Sequence, residues 1–321
     1  MVESIIKEIS LYTGLSENLI KSYVYDSFNT RDYYKKVRIP KKNGGVRVVY
    51  VPIPEIKLIQ HFLSYRFLSK LPVSKNATAY IKGNSIIDNA KPHCNGSSFL
   101  FLDVHDFFNS IDFEKMLGIV RKYLGDELSD SDCIILLKLC SHNKTFAQGC
   151  VSSPVISNAY LYEFDLALSK LVETLPNGVY TRYSDDITIS SSTKIPQTLV
   201  KDIQALLKRE SLEINFKKTH FSSYIDRLSV TGVRIKRTKE ISLNTKFKKT
   251  LKTRIYHILK SKKPNLLDIE QTIGLLNYLK MIDLHYYNII NLKYREESLL
   301  TIDRLKQLKR EIFINRNSDV D

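Results

Sequence analysis

The feature that most constrains the fold of this chain is a pair of adjacent acids, Asp185 and Asp186, set between two β-prone runs. Residues 179–183 and 186–190 are rich in β-branched and aromatic side chains, which predicts two strands joined by a tight turn. Two carboxylates at one hairpin tip repel each other unless a cation binds beside them. Aspartate is also frequent in ordinary turns, so the pair alone predicts a hairpin and leaves its chemistry open.

A second acidic position favours metal binding over an ordinary turn. The apolar run 99–102 predicts a buried strand, and Asp103 follows it directly. A carboxylate at such an edge costs free energy unless it is paired or bound to a metal. If this strand lies beside the 179–190 hairpin, Asp103 and Asp185 face each other across two Mg²⁺ ions, which would activate an attacking hydroxyl and stabilise a leaving group.

The remaining segments predict an α+β fold. Lys41 to Gly45 forms a basic Asn-Gly turn between two β-prone runs, which is typical of a hairpin. Strands are predicted at 37–39, 46–51, 212–216 and 228–235. Helices are predicted at 3–28 with a break near Gly14, at 55–69, 112–124, 153–172 and 196–208, and in a separate helical lobe after residue 243.

The chain is strongly basic, with 49 Lys and Arg against 34 Asp and Glu and a net charge of +15. Such an imbalance favours a polyanionic partner such as nucleic acid. The sequence has no signal-peptide pattern and no uncharged apolar run near the roughly 18 residues of a membrane span. The four cysteines lack metal-finger spacing. We therefore expect free thiols, a cytoplasmic location and no membrane partner.

Six short motifs stand in the order typical of one enzyme family. They are 89–93 (NAKPH), the acid-bearing strand 99–103, 148–154 (QGCVSSP), 183–186 (YSDD), 215–219 (NFKKT) and 230–232 (VTG). Together they resemble the polymerase motifs of reverse transcriptases, and the resemblance covers about residues 47–278. The NAxxH and VTG elements resemble retron enzymes in particular. Ser184 departs from the alanine usual in the retron YADD box, and because serine is small we expect the turn to survive.

The resemblance implies roles at the active site. Asp103 and Asp185 would be the main metal ligands, with Asp186 as the third acid, and the backbone carbonyl of Val104 would also bind metal. The cofactor would be two Mg²⁺ ions. Phe108 would be the aromatic gate that selects dNTP over NTP by clashing with a 2′-hydroxyl, although core packing of the Phe107-Phe108 pair is an alternative.

Further positions would hold substrates. Gln148 and Gly149 would lie under the incoming base and sugar, where a missing side chain permits close approach. Arg47 would grip the triphosphate, a task that suits a guanidinium. Tyr183 would lie under the primer end. Lys218 would act on pyrophosphate, with a solvated surface lysine as the alternative.

Nucleic-acid contacts are implied more broadly. Lys41 and Lys42 could touch the template. Asn89 and His93 would belong to the RNA-binding elements, with a structural role as the alternative for His93. The spacing after residue 243 predicts a basic amphipathic helix that carries Lys248, Lys249, Lys252 and Arg254, which we assign to RNA contacts, although such charges often form only a solvated face.

The implied architecture is a right-hand polymerase with an antiparallel-sheet palm backed by helices. Residues 1–98 would form N-terminal helices and fingers, 99–241 the palm with 113–147 contributing to the fingers, and 242–321 a helical thumb. The implied activity is RNA-directed DNA synthesis from dNTPs. In a retron, a structured non-coding RNA serves as template and primer, synthesis starts at a 2′-hydroxyl of an internal guanosine, and the product is the branched hybrid msDNA.

A retron enzyme would also work with a toxin or effector protein in anti-phage defence. Two alternatives remain open from the sequence. One is another small bacterial reverse transcriptase, of the group II intron or diversity-generating type. The other is an RNA-binding scaffold without catalysis, against which the intact acids Asp103, Asp185 and Asp186 argue.

Overall fold

The structure is a computed structural model that describes residues 4–26, 33–41, 44–223, 228–295 and 299–318. The chain divides into two compact units. One comprises Met1–Ser85 and Gly96–Ser223, and the other comprises Ile86–Asn95 and Tyr224–Asp321. These two units do not coincide with the predicted fingers (1–98), palm (99–241) and thumb (242–321). The division into fingers, palm and thumb stays a prediction.

Helices dominate both units. They are α1 (Ile5–Thr13), α2 (Glu17–Tyr25), α3 (Pro54–Arg66), α4 (Ile86–Ala90), α5 (Phe113–Leu124), α6 (Asp130–Cys140), α7 (Ser153–Tyr160), α8 (Tyr162–Glu173), α9 (Thr198–Arg209), α10 (Thr245–Lys260), α11 (Leu266–Ile282), α12 (Leu284–Lys293) and α13 (Thr301–Ser318). The strands are β1 (Tyr34–Pro40), β2 (Val46–Pro52), β3 (Ser98–Asp103), β4 (Val179–Tyr183), β5 (Asp186–Ser191), β6 (His220–Ser223), β7 (Ser229–Val230), β8 (Val233–Ile235) and β9 (Ile241–Ser242). The predicted α+β class is confirmed.

Local capping chemistry sets several helix ends. Gly14 takes a left-handed φ of 72° and closes α1, so the predicted break between the first two helices is present. Asp112 accepts a hydrogen bond from the Lys115 amide and caps α5, as its position before an apolar run predicts. The predicted helix 153–172 is instead two helices, α7 and α8, which are separated at Leu161.

A four-stranded antiparallel sheet in the order β4-β5-β3-β6 forms the centre of the first unit. The middle strands β3 and β5 are buried along most of their length, and their apolar residues Leu100, Leu102, Ile187 and Ile189 belong to the hydrophobic core. The register places Asp103 opposite Asp186 and Phe99 opposite Ser190. The strand pairing that the active-site hypothesis required is therefore present.

Two strand predictions were wrong. Residues 212–216 form no strand but a loop with one isolated bridge between Ile214 and Val104. The strand that pairs with the free edge of β3 is β6, which the sequence reading missed. The predicted strand 228–235 is interrupted at Thr231 and Gly232, both of which have positive φ and form the turn between β7 and β8.

The basic hairpin of the first unit is formed by β1 and β2, with Arg47 opposite Ile39. Lys42, which we predicted to touch the template, lies outside the described residues. In the second unit, α4 packs on β7 and β8, and α11 packs against α10, α12 and α13. No helix in the described ranges is long and apolar enough to cross a membrane.

Candidate active site

Three carboxylates meet at one end of the central sheet. Asp103 ends β3, Asp186 begins β5 directly opposite it, and Asp185 occupies the turn between β4 and β5. The amide of Val104 donates to the Asp185 carbonyl oxygen at 3.0 Å, which ties the turn to the end of β3. The structure thus brings together all three predicted acids from two separate chain segments.

The crowding of these acids changes how readily they ionise. Burial raises the pKa of Asp185, and the nearby Asp103 carboxylate raises it further. The pKa of Asp186 is raised to about 6, first by loss of surrounding water in the cleft and then by the charges of Asp185 and Asp103. Negative charge is therefore costly at this end of the sheet, and a bound cation would relieve the cost.

Lys218 supplies a positive charge at this place. Its ammonium lies 2.5 Å from the Asp103 carboxylate, and the Asn215 side chain donates to the other oxygen of that carboxylate at 2.9 Å. Burial opposes the charge on Lys218, but the bond to Asp103 and the neighbouring acids raise its pKa overall. The loop around Asn215, which we had predicted to be a strand, therefore partners Asp103 directly.

Within the described ranges, no three acidic, histidine or cysteine side chains stand close enough to hold an ion. The two hydrogen bonds of the Val104–Ile214 bridge are accepted by the carbonyl oxygens of Asp103 and Glu213. The Val104 carbonyl oxygen, which is the predicted metal ligand, accepts neither of them.

A buried ion pair that the sequence analysis did not predict supports the turn that carries Asp185. Arg182 on β4 and Asp165 on α8 have no exposed side-chain surface, and Arg182 Nη2 lies 2.7 Å from Asp165 Oδ2. Arg182 Nη1 also donates to the carbonyl of Ser184 at 3.1 Å, inside the turn. The signal was present in the sequence, because an arginine within a buried β-run needs an acidic partner.

A cavity of about 740 Å³ opens in the same unit. Its walls include the predicted substrate residues Arg47, Phe108, Gln148, Gly149 and Lys218, together with Lys41, Ile39, Pro40, Val49, Tyr80, Cys150, Ser153 and Pro154. Phe107 and Phe108 are both buried in the hydrophobic core, and of the two rings only Phe108 lines the cavity. Tyr183 is half-buried and is not part of this wall.

Gly149 is a glycine because of its backbone surroundings. Its φ is +109°, and an added Cβ would overlap the carbonyl oxygen of Tyr50 and lie 2.7 Å from a Val49 methyl group. The Tyr50 amide also donates to the Gln148 carbonyl at 2.7 Å. The Cβ position is thus occupied by β2, although Gly149 also lines the cavity, and the close approach of a nucleotide here stays a prediction.

Buried Gln60, on α3, fixes the next part of the same loop. Its side chain accepts from the Val151 amide at 2.9 Å and donates to the Leu139 carbonyl at 3.0 Å and the Tyr34 hydroxyl at 2.9 Å. A lone glutamine within an apolar helix face carries little sequence signal, and we had not predicted this contact.

The NAxxH and VTG elements meet in the second unit. Asn89 donates to the Thr231 hydroxyl at 3.3 Å, and α4 packs on the two strands that flank the Thr231 turn. Asn89 and His93 have no exposed surface. The structure therefore places neither side chain where it could touch RNA directly, and it favours the structural alternative for His93.

The four basic residues of α10 differ in their surroundings. Lys248 binds Asp283 at 2.7 Å and Ser242 at 2.8 Å, and Arg254 binds Asp268 at 3.2 Å. Lys252 lies 5.4 Å from the centre of the Tyr286 ring, and Lys249 is exposed. Three of the four predicted RNA contacts, Lys248, Lys252 and Arg254, thus have partners within the protein.

Comparison with known proteins identifies the family of the chain. Residues 39–240 match the family described as reverse transcriptase (RNA-dependent DNA polymerase). The chain is 30% identical to the retron Ec73 reverse transcriptase of Escherichia coli, over 87% of this chain and 92% of that one. It is 28% identical to the retron Ec86 reverse transcriptase of the same species, over 86% of this chain and 84% of that one.

A solved structure shares the fold at much lower identity. The telomerase from Candida albicans, solved in complex with a fragment of telomeric RNA, aligns with a TM-score of 0.50 and 14% identity, over 88% of this chain and 60% of that chain. This likeness supports the fold alone. The sequence matches show that the chain belongs to the reverse transcriptase family and is an RNA-directed DNA polymerase of the retron type.

Proposed function

We propose that Asp103, Asp185 and Asp186 are the catalytic acids of RNA-templated DNA synthesis in this chain. The observation that carries the proposal is the register of the central sheet, which sets Asp103 opposite Asp186 with Asp185 in the adjoining turn. In the reaction, a primer hydroxyl attacks the α-phosphorus of a dNTP, a new phosphodiester bond forms, and pyrophosphate leaves.

The carboxylates fit a divalent cation by charge and by donor chemistry. Reverse transcriptases use divalent metal ions, and carboxylates such as Asp185 and Asp186, whose pKa values are raised by burial and by neighbouring negative charges, gain from binding them. We propose Mg²⁺, bound as two ions by the three acids and the Val104 carbonyl, because Mg²⁺ takes few carboxylates and completes its shell with phosphate and water oxygens. When bound, the ions would activate the attacking hydroxyl and stabilise the leaving group.

Protein side chains would do the remaining work. Lys218 now neutralises Asp103, and it is 60% exposed, so it can turn away and donate a proton to the leaving pyrophosphate. Arg47 would bind the triphosphate through its guanidinium. Phe108 would exclude a 2′-hydroxyl, the backbone at Gln148 and Gly149 would support the base and sugar, and Tyr183 would lie under the primer end.

The wider assignments follow from membership of the retron type. We propose fingers within 1–98, a palm over 99–241 with 113–147 contributing to the fingers, and a thumb over 242–321. A structured non-coding RNA would act as template and as 2′-hydroxyl primer, with msDNA as product. Lys249, which is exposed, supports RNA binding by α10 more directly than Lys248, Lys252 or Arg254 does.

Replacing both acids of the turn tests the assignment. Asp185→Asn with Asp186→Asn should abolish dNTP incorporation on a primed RNA template while leaving RNA binding largely intact. Asp202→Asn, at an exposed position on α9, is the matched control and should extend normally. Extension by the double variant at the rate of the unsubstituted protein would contradict the site assignment. Absence of extension by every form, including the unsubstituted protein, would favour the non-catalytic scaffold.

Purification from the native locus tests the retron assignment. A branched RNA–DNA species bound to the protein would support msDNA synthesis, whereas unbranched RNA of an intron or a diversity-generating element would favour the other small reverse transcriptases. The same preparation would identify an effector protein, which the proposed role in anti-phage defence requires.

A further inference from the structure

Tyr80 lies in the wall of the cavity of about 740 Å³. It lines the cavity together with Phe108, Arg47 and Gln148. Tyr80 is 48% exposed. Its φ of +64° lies in the left-handed region, where a residue with a Cβ is strained. Strain of this kind persists only where the surrounding structure imposes it.

The segment before Tyr80 is fastened along β4. The Arg182 amide donates to the Asn76 carbonyl at 2.8 Å, and the Thr78 amide donates to the Arg182 carbonyl at 2.8 Å. Buried Asn158 then donates from its side chain to the Ala79 carbonyl at 2.9 Å. The position of Tyr80 is therefore set by hydrogen bonds to the backbone of Asn76, Thr78 and Ala79.

The hydroxyl of Tyr80 reaches the turn of Ser184 and Asp185 between β4 and β5, which we call the catalytic turn. It donates to the Ser184 hydroxyl at 3.0 Å, and Ser184 itself has a left-handed φ of 62°. Arg182 holds the carbonyl of the same residue from inside the protein. The residue that precedes Asp185 is thus held through its side chain by Tyr80 and through its backbone by Arg182.

The ring of Tyr80 faces the proposed gate. Its centre lies 6.5 Å from the centre of the Phe108 ring, with the planes inclined at 58°, which is within the range of favourable aromatic pairs. One side chain therefore contacts both the turn that carries the acids and the ring that would test the sugar.

We propose that Tyr80 is a positioning residue that couples deoxyribose selection to the catalytic turn: its hydroxyl fixes Ser184, and its ring holds Phe108 in place. The inference rests on the proposed function of the site. The inference also assigns a function to the Ser184 hydroxyl, because the alanine usual at this position in retron enzymes could not accept the hydrogen bond from Tyr80.

The hydroxyl contact is tested by Tyr80→Phe, Ser184→Ala and the double variant, with single-nucleotide incorporation on a primed RNA template as the assay. Each single variant should lower kcat about fivefold, the effect of one lost neutral hydrogen bond, with the KM for dNTP changed less than about twofold. The double variant should be no slower than either single variant, because both remove the same bond. Unchanged kcat in the single variants, or multiplied losses in the double variant, would overturn the inference.

The ring contact is tested by Tyr80→Leu, which should lower the preference for dNTP over NTP about fivefold, the size expected for one lost aromatic pair. Tyr160→Phe is the matched control, because Tyr160 loses a buried hydrogen bond of 2.7 Å to the Glu210 carbonyl away from the cavity. It should lower thermal stability and leave the dNTP preference unchanged. A Tyr80→Leu protein that matches this control in both readouts would show a merely structural role and overturn the inference.

Asp185→Asn separates this inference from the proposed function. If Asp185→Asn incorporates dNTP normally, the proposed site and the role of Tyr80 both fail. If Asp185→Asn is inactive and Tyr80→Phe matches the unsubstituted protein, only the role of Tyr80 fails.

Discussion

Substitution of Arg182 by methionine should cause a large loss of stability together with a loss of catalysis. Asp165 accepts three hydrogen bonds, from Arg182 Nε at 2.9 Å, from Arg182 Nη2 at 2.7 Å and from the Tyr180 hydroxyl at 2.6 Å. Removing Arg182 eliminates two of them and leaves a carboxylate with no exposed surface. Breaking a buried ion pair in this way costs about 4 kcal/mol of unfolding free energy.

For a unit of this size the loss corresponds to a fall in Tm of about 10 °C, which thermal unfolding followed by circular dichroism would measure. The Arg182→Met protein should also have a kcat about tenfold lower, because the Ser184 carbonyl loses its charged donor.

A double variant separates stability from catalysis. With Asp165→Leu added to Arg182→Met, no buried charge is left without a partner, so most of the stability should return. The kcat should stay low, because the donor to Ser184 is still missing. Lys122→Met, which breaks an exposed pair with Glu163, is the control and should change Tm little. The reasoning would be refuted if Arg182→Met were as stable as this control, or if the double variant were no more stable than Arg182→Met alone.

Three further predictions concern single positions. Burial lowers the pKa of His93 to about 3, whereas in the unfolded chain His93 binds a proton near pH 6.5, so the folded protein loses stability as the pH falls below 6.5. Between pH 7 and pH 5 the unfolding free energy should fall by about 2 kcal/mol, and denaturant unfolding of His93→Gln should show no such fall. Equal pH dependence in the two proteins would contradict the assignment. Gly149→Ala should cost about 2 kcal/mol or more, since its φ is +109° and β2 occupies the Cβ position, whereas Gly118→Ala in the open face of α5 should be neutral or stabilising. Phe108→Ala should raise NTP incorporation relative to dNTP in the same primed-template assay, and an unchanged ratio would exclude Phe108 as the gate.

The central sheet and its acids were within reach of sequence reasoning. The run 99–102 is short and apolar, and the two runs around Asp185 are rich in β-branched and aromatic residues, so their strand character follows from local composition. Their pairing followed from one physical requirement, that a carboxylate at the end of a buried strand needs a partner. The helix ends at Gly14 and Asp112 were also readable, because capping is a local interaction.

Other features had no comparable local signal. The loop around Asn215 reads as β-prone, but it is held as a loop because its amide and side chain both bind Asp103, 112 residues earlier in the chain. The edge strand β6 consists of polar and aromatic residues that gain strand structure only by pairing with β3. Asn89 and His93 look like surface recognition residues in the sequence and are fully buried in the second unit.

The sequence by itself determined the family, the α+β class and the identity of the acids, because these depend on residue types and on patterns that repeat within a few positions. Tertiary structure alone decided that Lys218 neutralises Asp103, that Arg182 and Tyr80 hold Ser184, and that β2 requires a glycine at residue 149. Tyr80 and Ser184 are 104 residues apart. Contacts over such separations depend on how strands and helices pack, and local sequence carries no period or spacing that encodes them.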